Sequence, residues 1–272
     1  MAFFKYLDKN VYYDVVGSGK PILILNGIMM STMSWEPFVQ SLSDHNTLIR
    51  VDFLDQGQSD KMKEQYTQSI QVELVKALLD HINIKKVNIV GISYGGEVAI
   101  GFAIAYQSYV ERLLLFNTTA QTSDWLADIG HSWKAVGKTR DANAYYKTTI
   151  PIIYSAGYYQ KRIEWMKARE QKLKPVFSNP IFLDAMDRLT TSAESYNEID
   201  RVSSIKVPTL IVAAEDDSLT PKQDQEILHK LITTSELIHI PNCGHASMYE
   251  KPLVFVTLVL GFINAPVTDF NI

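Results

Sequence analysis

The segment Gly91-Ile92-Ser93-Tyr94-Gly95-Gly96 carries the strongest chemical signal in the chain. A serine framed by glycines at this spacing reads as a turn from a strand into a helix. Such a turn presents the hydroxyl at the edge of a sheet, close to the positive helix N-terminus. It holds the serine in a strained backbone position, and the glycines let strand and helix approach closely. A serine hydroxyl is a weak nucleophile unless a base stands beside it. Six histidines are available. His45 and His81 fall in or beside surface helices, His229 on a polar helix and His239 inside a strand. His131 lies in an aromatic-rich stretch, where a pocket position is open to it. His245 differs, because Pro241-Asn-Cys-Gly-His-Ala246 directly follows a strand pattern over Glu236–Ile240. That places it at the carboxyl edge where open α/β sheets bind ligands, and His245 is the expected base. A base of this kind needs a carboxylate to orient the imidazole and stabilise its charged form. Glu215, Asp216 and Asp217 follow the strand pattern Thr209–Ala213. Spacing to Pro221 favours Asp217, with Asp216 as the alternative.

The elements that must hold these groups alternate between strand and helix. Phe3–Leu7 and Val11–Val16 read as a hairpin around Asp8-Lys9-Asn10. After Gly17-Ser-Gly-Lys-Pro21 comes Ile22-Leu-Ile-Leu25, apolar on both faces as a covered central strand must be. Helix is expected over Trp35–Leu42, strand over Thr47–Asp52, and helix over Tyr66–Ile82 with Ile70, Leu74, Ala77, Leu78 and His81 on one stripe. A buried strand Val87–Ile92, a buried helix Gly95–Tyr106 and a strand Leu113–Asn117 follow. After Val207-Pro208 the pattern resumes with Thr209–Ala213, helix Lys222–Leu231, strand Glu236–Ile240 and helix Pro252–Ile263. This alternation implies an α/β fold, a mostly parallel, eight-stranded, doubly wound sheet with right-handed crossovers. Between Thr118 and Val202 the periodicity is helical and holds three of the four tryptophans, Trp125, Trp133 and Trp165. The expected organisation is therefore a core of residues 1–117 and 203–272 interrupted by a helical cap of residues 118–202. An insertion of that length is usually functional rather than a plain connection.

The chain resembles the α/β-hydrolase fold family, in its small, capped serine-hydrolase form, over almost its whole length. The resemblance rests on the opening hairpin into Gly17-Ser-Gly-Lys-Pro21, on Asn26-Gly27, and on Asp52-Phe-Leu-Asp-Gln-Gly-Gln-Ser59. Gly91-Ile-Ser-Tyr-Gly95, Asp217-Ser-Leu-Thr-Pro221 and Gly244-His245 complete it. The order Ser93…Asp217…His245, acid in the middle, is that of the family. The resemblance implies an oxyanion hole built from the backbone N–H groups of Tyr94 and Ile28. It departs from the commonest family pattern, since Asn26-Gly27 stands where His-Gly is usual, and Asn26 is expected to anchor that loop. The stretch from Asn26 to Trp35, with Gly57-Gln-Ser59, is also similar to bacterial acyltransferases that move 3-hydroxyacyl chains from acyl carrier protein.

The resemblance implies a hydrolase acting on a carboxylic ester, thioester or lactone through an acyl-enzyme. The alternative is transfer of the acyl chain from acyl carrier protein or a CoA thioester to an alcohol or thiol; a binding protein that has lost the chemistry is a third class. Haloalkane dehalogenases usually carry Asp where Ser93 stands, whereas cofactor-free haloperoxidases share the triad. Met29, Trp35, Trp125 and Trp133 are the expected substrate-binding residues. Met30 and Met33 lie beside them, bordering an acyl pocket or filling core. An apolar cap underside should favour neutral acyl chains over charged or very bulky ones. No metal and no cofactor is expected, since there is neither a G-x-G-x-x-G run nor a P-loop, and Cys243 alone cannot frame a zinc site. Twenty-six basic and 30 acidic residues give a net charge of −4, which argues against nucleic-acid binding. No membrane span is expected, and charge in the first ten residues interrupts any leader-like apolar run, so a cytoplasmic protein is the simplest reading.

Overall fold

A computed structural model describes residues 2–266; the last six residues of the expected 203–272 segment, and Met1, lie outside the described residues. β1 (Ala2–Tyr6) and β2 (Lys9–Gly17) form the opening hairpin, followed by β3 (Lys20–Leu25), the short helix α1 (Val39–Ser43) and β4 (Asn46–Val51). α2 (Ser69–His81), β5 (Val87–Ile92), α3 (Tyr94–Ala105) and β6 (Val110–Phe116) complete the first part. Five helices come next: α4 (Asp124–Lys138), α5 (Ala142–Ile153), α6 (Ala156–Lys161), α7 (Ile163–Phe177) and α8 (Pro180–Ala193). The chain then returns through β7 (Thr209–Ala214), α9 (Lys222–Leu231), β8 (Ser235–Ile240), α10 (Ser247–Glu250) and α11 (Pro252–Asn264).

The eight strands form one sheet in the order β1-β2-β4-β3-β5-β6-β7-β8. The β1–β2 and β2–β4 pairs are antiparallel and every other pair is parallel. Alternate residues of β3 show how the central strands meet both layers. Leu23 and Leu25 pack with Leu74, Leu78, Val98 and Phe102 of α2 and α3. Ile22 and Ile24 pack on the opposite face with Leu42 of α1 and Phe255 and Val259 of α11. Each such aliphatic side chain taken fully from water contributes roughly 1.5–3 kcal/mol before entropy is set against it, which explains why these strands carry no polar alternation.

Three local expectations shift. The helix expected over Trp35–Leu42 is a 3₁₀ segment, Thr32–Phe38, running into α1. Pro37 lies inside it and supplies no N–H for an α-helical ladder. α2 begins at Ser69, not Tyr66, and buries Gln71, Leu74, Val75, Leu78 and Leu79. The expected stripe was rotated, and His81 lies at its exposed margin, stacked on Phe4 at 5.4 Å. Between β6 and β7 the only pairing among the described residues is a single bridge, Gln121 to Asn197. Arg188 of α8 ties this helical segment back to the sheet's loops through a two-pronged ion pair with the fully buried Asp55 side chain. No helix of the described residues is long and apolar enough to cross a membrane.

Candidate active site

Ser93 stands between β5 and α3 with φ 54° and ψ −122°, a conformation L-residues rarely adopt. Such a position costs of order 1–3 kcal/mol and persists only where its surroundings enforce it. They do so here. A Cβ on Gly91 would stand 2.6 Å from the Gly95 carbonyl oxygen, and one on Gly95 would stand 2.3 Å from that of Leu25. The Ser93 N–H donates to the Phe116 carbonyl at 3.0 Å, and Thr118 Oγ1 donates to the Ser93 carbonyl at 2.8 Å. The turn is thereby fastened to the last residue of β6 and to the loop that follows it.

Asp217 and Asp216 have different surroundings. Asp216 is exposed, whereas Asp217 is 6% exposed. Asp217 Oδ1 accepts from the N–H groups of Leu219 and Thr220 at 2.8 and 3.0 Å. Oδ2 accepts from Asn117 Nδ2 at 2.8 Å, Thr220 Oγ1 at 3.0 Å and His245 Nδ1 at 2.8 Å. Burial alone would raise this carboxyl. The imidazole beside it and these donors outweigh burial and hold it below the usual carboxylate range. An ionised Asp217 only accepts, so the His245 proton sits on Nδ1 and leaves Nε2 with a free lone pair. Asn117, held at φ 49°, is itself fixed by Ser247, whose Oγ donates to Asn117 Oδ1 at 2.7 Å.

Ser93 and His245 line one cavity of about 180 Å³. Its wall combines the loops at the carboxyl edge of the sheet with residues of the helical segment between β6 and β7. Ile28 and Tyr94 border it as well. Tyr94 opens α3, where an N–H has no carbonyl one turn earlier to meet. Among the described residues neither the Tyr94 nor the Ile28 N–H donates to a backbone carbonyl. The loop carrying Ile28 is fixed from below. Asn26 Nδ2 donates to the Val51 carbonyl at 2.7 Å and to Gln56 Oε1 at 3.0 Å. Gln56 Nε2 in turn donates to the Gly27 and Ile28 carbonyls at 2.9 and 3.2 Å. Asn26 is thus a loop anchor.

Two expected substrate-binding residues are elsewhere. Trp35 is fully buried, donates from Nε1 to Asn26 Oδ1 at 2.7 Å and stacks on Phe255. It belongs to the anchor beneath the loop, because its indole N–H found a buried acceptor and its ring the α11 core. Trp125 is 55% exposed and donates to the Ser218 carbonyl at 2.8 Å, outside the cavity. Met29, Met30 and Trp133 do line it, and Met33 is exposed. His131 is exposed beside Asp128 and Glu194. The Cys243 thiol is buried and pushed up to about 12 by that burial, so it offers no second nucleophile. Among the described residues no group of three His, Cys, Asp or Glu is placed to hold a metal ion.

Sequence reasoning missed the hydrogen-bonding roles of Asn117, Thr220 and Gln56, although the last two lie within motifs it quoted, and missed that the cavity wall includes Glu97, Arg169 and Glu194. The cavity wall is therefore not uniformly apolar. Glu97 is 4% exposed, and burial pushes its carboxyl up to about 8 against one opposing hydrogen bond from Gln68. The folded chain thus holds a proton there that the unfolded chain releases above its own value of 4.5. The stability tied to that proton is present below the unfolded value and is lost as pH rises to about 8. Glu97→Gln removes this titration. The Tm of the variant minus that of the wild type is expected to grow from about pH 4.5 to about pH 8 and then level off. A difference that stays constant with pH contradicts the burial argument.

Comparison with known proteins places this geometry. The family model for the alpha/beta hydrolase fold matches residues 20–252. The crystal structure of MGS-M2, an alpha/beta hydrolase enzyme from a Medee basin deep-sea metagenome library, superposes with a TM-score of 0.98 at 48% identity, covering 100% of both chains. An N-acyl homoserine lactone degrading enzyme is 26% identical, with a TM-score of 0.79 over 96% of this chain and 100% of its own. A putative carbamate hydrolase, RutD, from Azorhizobium caulinodans is 24% identical over 255 residues, covering 94% of this chain and 95% of that relative.

Proposed function

The chain belongs to the alpha/beta hydrolase fold family, and from that premise we propose that it is a serine hydrolase cleaving a carboxylic ester, thioester or lactone through an acyl-enzyme. The observation that carries this reading is the buried Asp217–His245 hydrogen bond on the same cavity as the strained Ser93. In this reading Ser93 Oγ attacks the acyl carbon while His245 Nε2 takes its proton. The carbonyl oxygen gains negative charge as the tetrahedral intermediate forms, and the Tyr94 and Ile28 N–H groups hold it. Donors fixed where charge develops matter greatly, since losing one typically costs ~2.7–4 kcal/mol. His245 then passes its proton to the leaving group, which departs as alcohol or thiol. Water, deprotonated by the same imidazole, attacks the acyl-enzyme and releases the acid and Ser93. Asp217 remains ionised throughout and stabilises the imidazolium that forms twice per cycle.

The segment 118–202 acts in this reading as a cap. Its residues Leu126, Ile129, Trp133, Ile150 and Phe177 supply apolar wall to the cavity, which favours an acyl chain and excludes bulk water from the acyl-enzyme. A substrate series tests this part of the proposal. Burying each added CH₂ contributes roughly 0.8 kcal/mol. For 4-nitrophenyl esters, kcat/KM is expected to rise severalfold per two carbons and then to fall once the cavity of about 180 Å³ is full. A flat profile contradicts an acyl site beneath residues 118–202.

A further inference from the structure

One carboxyl in the cavity has no part in the proposed reaction. Glu97 stands one helical turn beyond Ser93 on α3, at the cavity wall, with its side chain removed from solvent. Its protein donor among the described residues is Gln68 Nε2, which reaches Oε2 at 2.6 Å. The contrast with Asp217 is instructive. Asp217 is equally buried but accepts five hydrogen bonds, one of them from His245, and can hold its charge. One neutral amide cannot compensate a buried carboxylate, so Glu97 is held as the acid.

The titratable groups that face Glu97 do not change this. Tyr94, on the same helix, shares a hydrogen bond with Ser192 Oγ at 2.8 Å, and Tyr196 donates to the Thr119 carbonyl at 3.3 Å. Burial keeps both phenols neutral. Asp55 is paired with Arg188, Glu194 with Lys134, and His245 with Asp217. Glu198, near Tyr196, is paired with Arg201. Arg169, on the same cavity wall, lies over the Trp165 and Tyr249 rings, and among the described residues no cation pairs with Glu97. Among the described residues the Glu97 carboxyl gives no hydrogen bond to a protein acceptor, and as the acid it has a hydrogen to give into the cavity it lines. The partner it suits is an oxygen brought in by the ligand.

Resting on the serine-hydrolase reading, we infer that Glu97 is a specificity-determining residue that donates a hydrogen bond to an uncharged oxygen, a ketone or a hydroxyl, on the substrate's acyl chain. The acyl group is the part held covalently at Ser93, and Glu97 leaves the helix that starts there. The preferred substrates are then oxo- or hydroxyacyl esters rather than plain alkanoates. Above about pH 8 the donor is lost and a negative charge enters the cavity in its place.

The test compares 4-nitrophenyl 4-oxopentanoate with 4-nitrophenyl pentanoate in wild type, Glu97→Gln and Glu97→Leu, from about pH 6 to about pH 9.5. The ratio of kcat/KM for the oxo ester over the plain ester is expected to fall about tenfold in Glu97→Leu and to be retained in Glu97→Gln, whose amide still donates. In the wild type, KM for the oxo ester is expected to rise above pH 8 with kcat unmoved, and that rise is absent in Glu97→Gln. Binding of 2-hexanone, read as a rise in Tm, reports the same contact without turnover. The rise should appear in wild type and Glu97→Gln and vanish in Glu97→Leu. Ketone binding without ester turnover would sink the serine-hydrolase reading alone. An oxo-to-plain ratio equal in all three proteins overturns the inference. So does a wild-type preference for the 5-aminopentanoate ester, which would mark an ionised Glu97 paired with an ammonium.

Discussion

Replacing Ser93 by alanine is expected to lower kcat by about 10⁶-fold while leaving the fold intact. Two physical facts separate chemistry from structure here. The turn conformation is imposed by the absence of side chains at Gly91 and Gly95 and by the bonds to Phe116 and Thr118, none of which uses Ser93 Oγ. Alanine therefore fits the same backbone position and removes only the Ser93 hydroxyl. The rate that remains reflects the cavity and the Tyr94 and Ile28 N–H groups acting on a water nucleophile. The measurement is steady-state hydrolysis of a 4-nitrophenyl ester, with circular dichroism and Tm confirming the fold. A variant keeping more than a tenth of the wild-type rate removes Ser93 from the mechanism.

The second large effect concerns the carboxylates. Asp217→Asn is expected to cost about 10⁴ in kcat, because an amide facing Nδ1 favours the tautomer with its proton on Nε2, where the base must be unprotonated. Asp216→Asn should change the rate by less than about twofold, since that side chain is exposed and the Asp216 N–H, not its carboxylate, makes the local bond, to the Cys243 carbonyl at 2.8 Å. Asp217 also accepts the Leu219 and Thr220 N–H groups, so the asparagine variant should lose some stability. Measuring kcat well below its Tm separates the two losses. If Asp216→Asn is the more damaging substitution, the orienting acid has been misassigned.

The parts of the site written locally were legible in the sequence. Gly91-Ile-Ser-Tyr-Gly95 announces its turn because the steric demand falls on residues within two positions of Ser93. The strand patterns announce the sheet because residues covered on both faces must all be apolar. What the sequence could not disclose depends on contacts across the fold. Spacing to Pro221 favours Asp217 over the adjacent Asp216, but the burial beneath Asn117, Thr220 and His245 that separates the two chemically identical groups is a property of the fold. Gln56 reads as a loop polar residue until its 30-residue return to Asn26 is seen. Trp35 and Trp125 show the limit most clearly. Position beside a cavity loop or within a helical insertion says that a ring will be near, not which side it faces. One ring turned into the α11 core and the other out to Ser218. Glu97 was hidden because the buried α3 pattern around it, Gly96-Glu-Val-Ala-Ile100, suggests packing and gives no sign of a cavity at its side.

Covalent labelling decides whether His245 activates Ser93 to form an acyl-enzyme. The wild-type protein is incubated with a fluorophosphonate that transfers its phosphonyl group to activated serines, and intact mass and peptide mapping are recorded alongside residual activity. One adduct per chain is expected, mapped to Ser93 and growing in step with loss of esterase activity. The adduct is expected to be absent in Ser93→Ala and greatly slowed in His245→Ala. Full labelling at another residue, or an unlabelled Ser93 in a protein whose esterase activity has been abolished by the reagent, would contradict this role for Ser93.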